Sequence, residues 1–103
     1  MKRVVITGAG TINALGHSVP DTLEAMREGR CGISELEIRD VDRLAIRIGG
    51  QVRDYDPEHR FNRQQLALYD RFTQFTLIAA REAIAQSGLE FSGQLAARAG
   101  VVL

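Results

Sequence analysis

The sequence has 103 residues, of which 45% are hydrophobic, and its thirteen basic and thirteen acidic side chains give a formal net charge of zero. A chain of this length is at most one small domain, and its apolar content excludes a disordered chain. Because a neutral chain carries no overall attraction for nucleic acid or for an anionic membrane surface, we expect neither as a partner.

The single cysteine, Cys31, cannot form a disulfide within the chain, which is typical of a reducing compartment. The opening residues MKRVV lack the apolar core and the small-residue cleavage site of a secretory signal. No apolar stretch approaches the length that a bilayer crossing needs. The sequence therefore predicts a cytoplasmic protein.

The opening stretch RVVITGAGTINALG reads as a buried strand, residues 4–6, that runs into a glycine-rich turn. Gly8 and Gly10 fit the first two glycines of the dinucleotide-binding pattern G-x-G-x-x-G, but Asn13 stands at the third. We therefore favour a structural interpretation, in which these glycines allow positive φ angles and close backbone approach in a strand-to-helix crossover. A phosphate cradle is the weaker alternative.

The next segment carries the signals of a helix over about residues 19–28. Ser18 is a good N-cap, and Asp21 stands three residues later in a position that resembles a capping box. Pro20 falls in the first turn, where its missing N–H costs nothing, and Gly29 offers a C-terminal stop.

The middle of the chain gives weaker signals. Residues 31–42 show no clear period and are predicted to be irregular. The alternation in LAIRIGGQV, residues 44–52, predicts a strand that Gly49 and Gly50 interrupt with a bulge or bend. The following residues, RDYDPEHRFN, are rich in turn formers.

The strongest local pattern predicts one long helix of about 25 residues, capped by Asn62 and closed by Gly88. Its apolar stripe at spacings of three and four consists of Leu66, Tyr69, Thr73, Leu77, Ala80 and Ile84. The small residues Ala79, Ala80 and Ala83 leave room for another backbone to approach.

Residues 99–103 predict a final apolar strand. The order strand, helix, strand, long helix, strand indicates a layered α/β fold. Because a buried-looking strand without a following turn is an unusual end for a domain, we expect the rest of the layer to lie outside this chain.

Four stretches in this order, KRVVITGAG, GRCGIS, DRFTQFTLIAAREAIAQSGL and RAGVVL, resemble the N-terminal end of the β-ketoacyl-acyl carrier protein synthases. These are the condensing enzymes of fatty-acid and polyketide synthesis, in the thiolase-like superfamily. The resemblance covers essentially all 103 residues, and the DRFTQF block with its alanine-rich continuation is its most specific part.

The resemblance implies a thiolase-like fold of two similar α/β halves in five layers (αβαβα), normally a homodimer. Residues 1–103 would then be the N-terminal part of the synthase N-terminal domain, incomplete as given. The implied reaction is an acyl transfer to a cysteine thiolate, followed by decarboxylative condensation with malonyl-acyl carrier protein. Its partners are acyl carrier protein and acyl and malonyl thioesters, and it uses no cofactor.

The same resemblance puts the nucleophilic cysteine and two catalytic histidines downstream of this segment, so we expect no catalytic residue here and no activity from the segment alone. Cys31 is interpreted as a small turn residue, and His17 and His59 as solvated or capping residues. No set of residues has the spacing of metal ligands.

Many members of this family carry basic residues on the first turns of the long helix, where the acidic carrier protein docks. In this sequence residues 64–68 read QQLAL, so only Arg60 and Arg63 keep positive charge nearby. This departure means either that docking uses other surfaces here or that the partner differs from the usual carrier. If the carrier does dock at this helix, Arg60 and Arg63 are the predicted docking residues. For Arg71 and Arg81, further along the helix, burial or a salt bridge is the expected role.

Two other functions remain open: a non-catalytic paralogue or partner of the condensing enzyme, and a small nucleotide-binding α/β module based on Gly8 and Gly10. If the long helix is buried between layers and the final strand needs neighbours, an isolated 103-residue chain would expose large apolar surfaces. We therefore expect it to be aggregated, molten or dimeric through the edge of its last strand.

Overall fold

The computed structural model describes all residues from Met1 to Leu103 and shows a chain of mixed α/β character. Its elements are helices α1 (Val19–Arg27), α2 (Arg63–Leu68), α3 (Arg71–Ser87) and α4 (Gly93–Arg98), strands β1 (Ile33–Glu35) and β2 (Ile48–Gly50), and the 3-10 turns Val41–Arg43 and Pro57–His59. None of the helices combines the length and the apolar content that a membrane crossing requires.

Helix α1 confirms the prediction for its segment to within one residue. The Ser18 hydroxyl accepts a hydrogen bond of 3.2 Å from the backbone N–H of Asp21, and Pro20 lies in the first turn. Gly29 follows the helix with φ of 68°, a left-handed conformation that glycine adopts without strain. Local capping signals thus decide both ends of this helix.

Strands β1 and β2 pair antiparallel in a regular register, with Ser34 opposite Gly49. The predicted strand over residues 44–52 therefore shrinks to three residues, and the predicted bulge at Gly49 is wrong because this glycine lies inside the ladder. A Cβ on Gly49 would lie 3.2 Å from Cδ2 of Leu36, which is tight packing. The prediction of an irregular segment missed β1, which is too short to show a period.

The predicted single long helix is wrong, because it breaks into α2 and α3 at Tyr69 and Asp70. Both residues are extended, with ψ angles of 121° and 172°. The Asp70 carboxylate accepts a hydrogen bond of 2.8 Å from the N–H of Thr73 and so begins a new helix. The side-chain amide of Gln74 donates to the carbonyl oxygen of Tyr69 at 3.0 Å, which satisfies a carbonyl at the end of α2.

The predicted outer ends of this helical region are confirmed. Asn62 caps α2, and its side chain and that of Gln65 form a reciprocal capping box. Gly88 ends α3 with φ of 68°. The break therefore leaves the boundaries intact and changes only the direction of the chain between them.

The predicted strands at residues 4–6 and 99–103 are not formed. Both segments lack regular secondary structure and are exposed, with Val4 95% and Val102 97% accessible. A strand needs a neighbouring backbone to take its N–H and C=O groups, and no such neighbour lies beside either segment. The turn of helix α4, just before the last segment, was not predicted.

The core is small for a chain of this length. Four residues are buried, namely Ala25, Phe61, Gln74 and Ile78. The accessible surface is 8739 Å², whereas a compact protein of 11.4 kDa exposes about 5,800 Å². The radius of gyration of 17.1 Å likewise exceeds the roughly 13 Å of a compact domain. The chain thus leaves much apolar surface exposed, as the sequence led us to expect.

Candidate functional site

The glycine-rich turn after residue 7 packs directly on helix α3. A Cβ on Gly8 would overlap the carbonyl oxygen of Ala83, and one on Gly10 would overlap that of Ala79. The predicted close backbone approach is therefore confirmed, as is the space left by these alanines. The positive φ angles that we also expected are absent at both glycines.

Side chains of α3 take up the N–H groups of the same extended segment. The N–H of Ala9 donates to Oε1 of Gln86 at 2.7 Å, and the N–H of Thr11 donates to Oε1 of Glu82 at 2.9 Å. Residues 79, 82, 83 and 86 lie on one face of the helix, since they are spaced by three, one and three. Side chains on this face accept hydrogen bonds from the segment, as the backbone of a neighbouring strand would do.

The N-terminus of α1 has no free N–H in its first turn. The N–H of Val19 donates to the Glu82 carboxylate, 2.9 Å from Oε2 and 3.2 Å from Oε1. Pro20 has no N–H, and that of Asp21 is bonded to Ser18. A dinucleotide site needs this helix terminus for its pyrophosphate. Because the donors are already taken and the glycines are covered by α3, the structure contradicts the phosphate-cradle alternative.

Asn13, which stands where the dinucleotide pattern has its third glycine, organises the turn through its side chain. Its amide nitrogen donates to the hydroxyls of Thr11 and Thr22, both at 3.0 Å. Its side-chain oxygen accepts from the N–H of Leu15 at 2.8 Å. The Asn13 side chain thus makes three hydrogen bonds that a glycine could not make, and its role is structural.

A second cluster of side chains surrounds Tyr55, beside the break between α2 and α3. The Tyr55 hydroxyl donates to Oε1 of the buried Gln74 at 2.5 Å, and its ring packs edge-on against Phe75 at 5.0 Å. His17 lies on the other side, with its Nε2 2.6 Å from the carbonyl oxygen of Arg53. His17 is thus half-buried and bonded to the backbone, and its predicted solvated or capping role stays a prediction.

Partial burial raises the pKa of Tyr55 above its ordinary value. The positive charges of Arg60 and Arg71 lower the pKa of the same hydroxyl but do not outweigh the desolvation, and the carboxylate of Asp56 adds to the rise. Tyr55 therefore remains a neutral hydrogen-bond donor at physiological pH, and it has no feature of a general base.

The two predicted docking arginines are exposed and have no carboxylate partner. Arg60 ends the 3-10 turn at Pro57–His59, and Arg63 begins α2. Ion pairs in the chain form elsewhere, on the arginines Arg30, Arg39, Arg47 and Arg53 and on His59. Both predicted residues thus present their charge to solvent, but they do not share one pocket.

Arg71 and Arg81 are also exposed, so the burial or salt bridge predicted for them is wrong. Each instead stacks on an aromatic ring: the guanidinium carbon of Arg81 lies 5.0 Å from the centre of the Phe61 ring, and that of Arg71 lies 5.5 Å from the Tyr55 ring. Arg60 and Arg81 line one cleft of about 440 Å³, together with His17, Ser18, Ile78 and Glu82. The structure therefore adds Arg81 to the surface around Arg60.

The remaining candidates for chemistry make only local contacts. The sulfur of Cys31 is exposed and lies 3.4 Å from the N–H of Ile33, and Nε2 of His59 pairs with Asp56 at 3.1 Å. No group of three or more histidine, cysteine or acidic side chains could hold a metal ion. The chain thus contains no assembled nucleophile and base.

The sequence analysis missed Glu82 and Gln86, the residues that bind the opening segment. A signal was available, since both lie on the same helical face as Ala79 and Ala83, where two backbones were expected to approach. What the pattern could not supply was the identity of the partners, which lie 63 to 77 residues away in the chain.

Comparison with known proteins identifies the family. The sequence profile of the β-ketoacyl synthase N-terminal domain matches residues 1–103. Nodulation protein E of Rhizobium sp. (strain N33) is 38% identical over 102 residues, and the 3-oxoacyl-[acyl-carrier-protein] synthases 2 of Coxiella burnetii and Staphylococcus aureus (strain N315) are 35% and 33% identical over 102 and 100 residues. These matches span 97–99% of this chain but only 24–25% of the length of each relative. The chain therefore belongs to the β-ketoacyl synthase family, and its sequence matches the N-terminal domain of that family.

Proposed function

We propose that this chain is the N-terminal part of a β-ketoacyl-acyl carrier protein synthase that acts in fatty-acid synthesis. The observation that carries the proposal is the family match over all of residues 1–103, together with relatives named as 3-oxoacyl-[acyl-carrier-protein] synthase 2. The reaction would transfer an acyl group from a thioester to a cysteine thiolate. Decarboxylation of malonyl-acyl carrier protein would then give the carbanion that attacks this acyl group.

In this proposal the chain supplies scaffold and no catalytic group. Its exposed extended segments, at residues 4–6 and 101–103, would join sheets in a five-layer thiolase-like fold. Two observations support that role: both segments are rich in β-branched residues, and both lack a partner within the chain. The catalytic cysteine and the two histidines would come from residues beyond Leu103.

The proposal is tested first by the intact mass of the gene product from its natural source, and then by its activity. We expect a mass several times 11.4 kDa and release of CO₂ from malonyl-acyl carrier protein in the presence of an acyl thioester. A thiol-alkylating reagent should abolish this activity, whereas the variant Cys31→Ser should retain it. A natural product of 11.4 kDa, or loss of acyl transfer in Cys31→Ser alone, would contradict the proposal.

A non-catalytic paralogue of the condensing enzyme is the second candidate. The observation that favours it is the uncharged run Gln64–Leu68 in α2, where catalytic relatives are expected to bind their carrier through basic residues. The residue at the nucleophile position separates the two candidates. A cysteine there that becomes acylated supports the enzyme, and any other residue supports the paralogue.

We further propose that Arg60 and Arg63 bind the acidic carrier protein, with Arg81 beside Arg60 in the same cleft. Their free, exposed guanidinium groups support this role, because an arginine without an internal carboxylate can pair with one on a partner. We expect Arg60→Glu to weaken carrier binding about tenfold and to reduce its salt dependence.

The control for this experiment is Arg98→Glu, at the end of α4, which makes the same charge change at an exposed arginine far from the cleft in sequence. Equal loss of binding in both variants would show a general charge effect rather than a docking site. We also propose that the intact protein is a cytoplasmic homodimer, which sedimentation analysis of the natural product can test.

A further inference from the structure

We propose that Glu82 is the internal anion of the glycine-rich turn: its carboxylate holds the start of α1 and the opening segment together and occupies the place at the helix N-terminus that a ligand phosphate would otherwise take. This role is independent of the function proposed above. It makes Glu82 a positioning residue for the first crossover of the fold.

Both carboxylate oxygens take part in these contacts, and Oε1 also lies 3.2 Å from the nitrogen of Val19. Oε1 accepts from Thr11 at 2.9 Å, and Oε2 accepts from Val19 at 2.9 Å. The two N–H donors come from different elements, so one side chain on α3 connects the opening segment with α1. The carboxylate gives each donor a bond of 2.9 Å from a different oxygen, and its charge strengthens both bonds.

The electrostatic surroundings favour a negative charge at this point. Val19 is the first residue of α1, where the helix dipole contributes partial positive charge. Glu82 is half-buried and has no basic side chain within 4.0 Å, although it lines the same cleft as Arg60 and Arg81. The backbone N–H groups are therefore the direct partners of this carboxylate, and they lose their acceptor if it is removed.

The contacts of Gly8 and Gly10 make the position of the carboxylate specific. These glycines bring the opening segment against Ala83, the residue after Glu82, and Ala79, three residues before it. A side chain at either position would overlap the helix backbone, so only glycine lets the segment lie this close. Glu82 thus completes an interface whose register is already set by shape.

The first experiment uses Glu82→Ala in the intact gene product and measures the thermal midpoint of unfolding. The substitution removes one CH₂ and the carboxylate, which together correspond to acetate. We expect a loss of several degrees that acetate restores as its concentration rises, as mass action requires of a ligand that binds only the folded state. Acetamide, which has the same shape without the charge, should restore none of it.

The second experiment covers the case in which Glu82→Ala does not fold. Glu82→Gln keeps the size of the side chain but turns one acceptor into an N–H₂ group that faces a donor. We expect about tenfold faster deuterium exchange in the peptide over residues 9–23, because one N–H loses its closest acceptor. The matched control is Glu90→Gln, an exposed residue whose side chain makes no hydrogen bond or ion pair.

Three outcomes would overturn the proposal. These are rescue of Glu82→Ala by acetamide as well as by acetate, exchange in Glu82→Gln as slow as in the wild type, and an equal change in Glu90→Gln. The first would mean that filling a void matters rather than placing a charge. The other two would mean that Glu82 holds neither element.

Discussion

Two neighbouring extended segments behave differently in this molecule. Residues 8–11 lie against α3, with their N–H groups bound by Gln86 and Glu82. Residues 4–6 carry the β-branched side chains that favour a strand, yet they are exposed and unpaired. Extended backbone is therefore stabilised where side chains or another strand take up its polar groups, and residue type alone does not achieve this.

The difference also has an energetic side. Burying a valine or isoleucine side chain contributes about 1.5–3 kcal/mol, and Val4 and Ile6 are 95% and 92% exposed. This stabilisation is not realised within the 103 residues. The glycine-rich segment needs no such burial, because shape and hydrogen bonds hold it on α3. Residues 8–11 are thus held on α3, whereas residues 4–6 are unpaired within the chain.

The largest expected effect comes from separating this chain from any further sequence. If residues 4–6 and 101–103 need partners, the isolated 103 residues should bind a hydrophobic dye and unfold without a sharp transition. The intact gene product should melt cooperatively. Dye binding and calorimetry on both samples measure this. A monodisperse 103-residue monomer with two-state unfolding would show that the unpaired segments do not matter for stability.

The next effect is expected at the pinned segment. Gly10→Ala places a Cβ into the carbonyl group of Ala79, and backbone atoms of a helix cannot yield as a flexible side chain can. We expect a loss of about 3 kcal/mol in the free energy of unfolding, the upper range for overpacking. Urea titration of the intact protein, followed by circular dichroism, measures it.

The matched control for that change is Gly50→Ala in β2. The new Cβ would there lie 3.5 Å from the Cβ of Ala14, an ordinary van der Waals distance. We expect a change within about 0.5 kcal/mol, as for most substitutions without a specific clash. Equal losses in both variants would mean that the close approach to α3 is not what makes Gly10 necessary.

A smaller effect is expected at the Tyr55 cluster, which holds the break between α2 and α3 as Glu82 holds the opening segment. Tyr55→Phe removes the donor to the buried Gln74 and leaves its oxygen unpaired, at a cost of about 1–3 kcal/mol. Tyr69→Phe is the control, since the Tyr69 hydroxyl makes no hydrogen bond in the structure. The same urea titration measures both. A cost for Tyr69→Phe equal to that for Tyr55→Phe would refute the interpretation.

What the sequence predicted correctly is what depends on near neighbours. The ends of α1, the cap at Asn62 and the stop at Gly88 each follow from residues within one turn of the boundary. The family was also recognisable, because its motifs recur in order along the chain. Local signals therefore predicted these helix boundaries, and the order of the motifs identified the family.

The features that the sequence did not predict depend on partners that lie far away in the chain or compete with the local pattern. The apolar period runs through Tyr69 and Asp70 without a proline, so the break was invisible to periodicity, although Asp70 three residues before Thr73 is itself a cap signal. Residues 4–6 form no strand because no partner lies beside them, and no local sequence pattern could show that. Glu82 looks like one more solvated carboxylate until the structure brings Thr11 and Val19 to it.

The smallest effect concerns the Asp70 cap at the start of α3. Helix α3 contains buried residues, whereas α2 contains none. The backbone N–H of Thr73, and to a lesser extent its side chain, lower the pKa of Asp70. Since the folded pKa lies below the unfolded value of about 3.9, the stabilisation is fully present above that pH. It is lost as the pH falls through the folded pKa.

Comparing three proteins isolates this effect from the other carboxylates, which titrate alike in all of them. At neutral pH the thermal midpoint should fall slightly in Asp70→Ala and less in Asp70→Asn, because asparagine also accepts the Thr73 N–H. As the pH falls through the folded pKa of Asp70, the advantage of the wild type over Asp70→Ala should shrink, while that of Asp70→Asn stays constant, since an amide does not titrate in this range. A difference between wild type and Asp70→Ala that stays constant with pH would mean that the carboxylate charge does not stabilise the start of α3. The cap would then act through its hydrogen bond to Thr73 alone, which a neutral acid or an amide accepts as well.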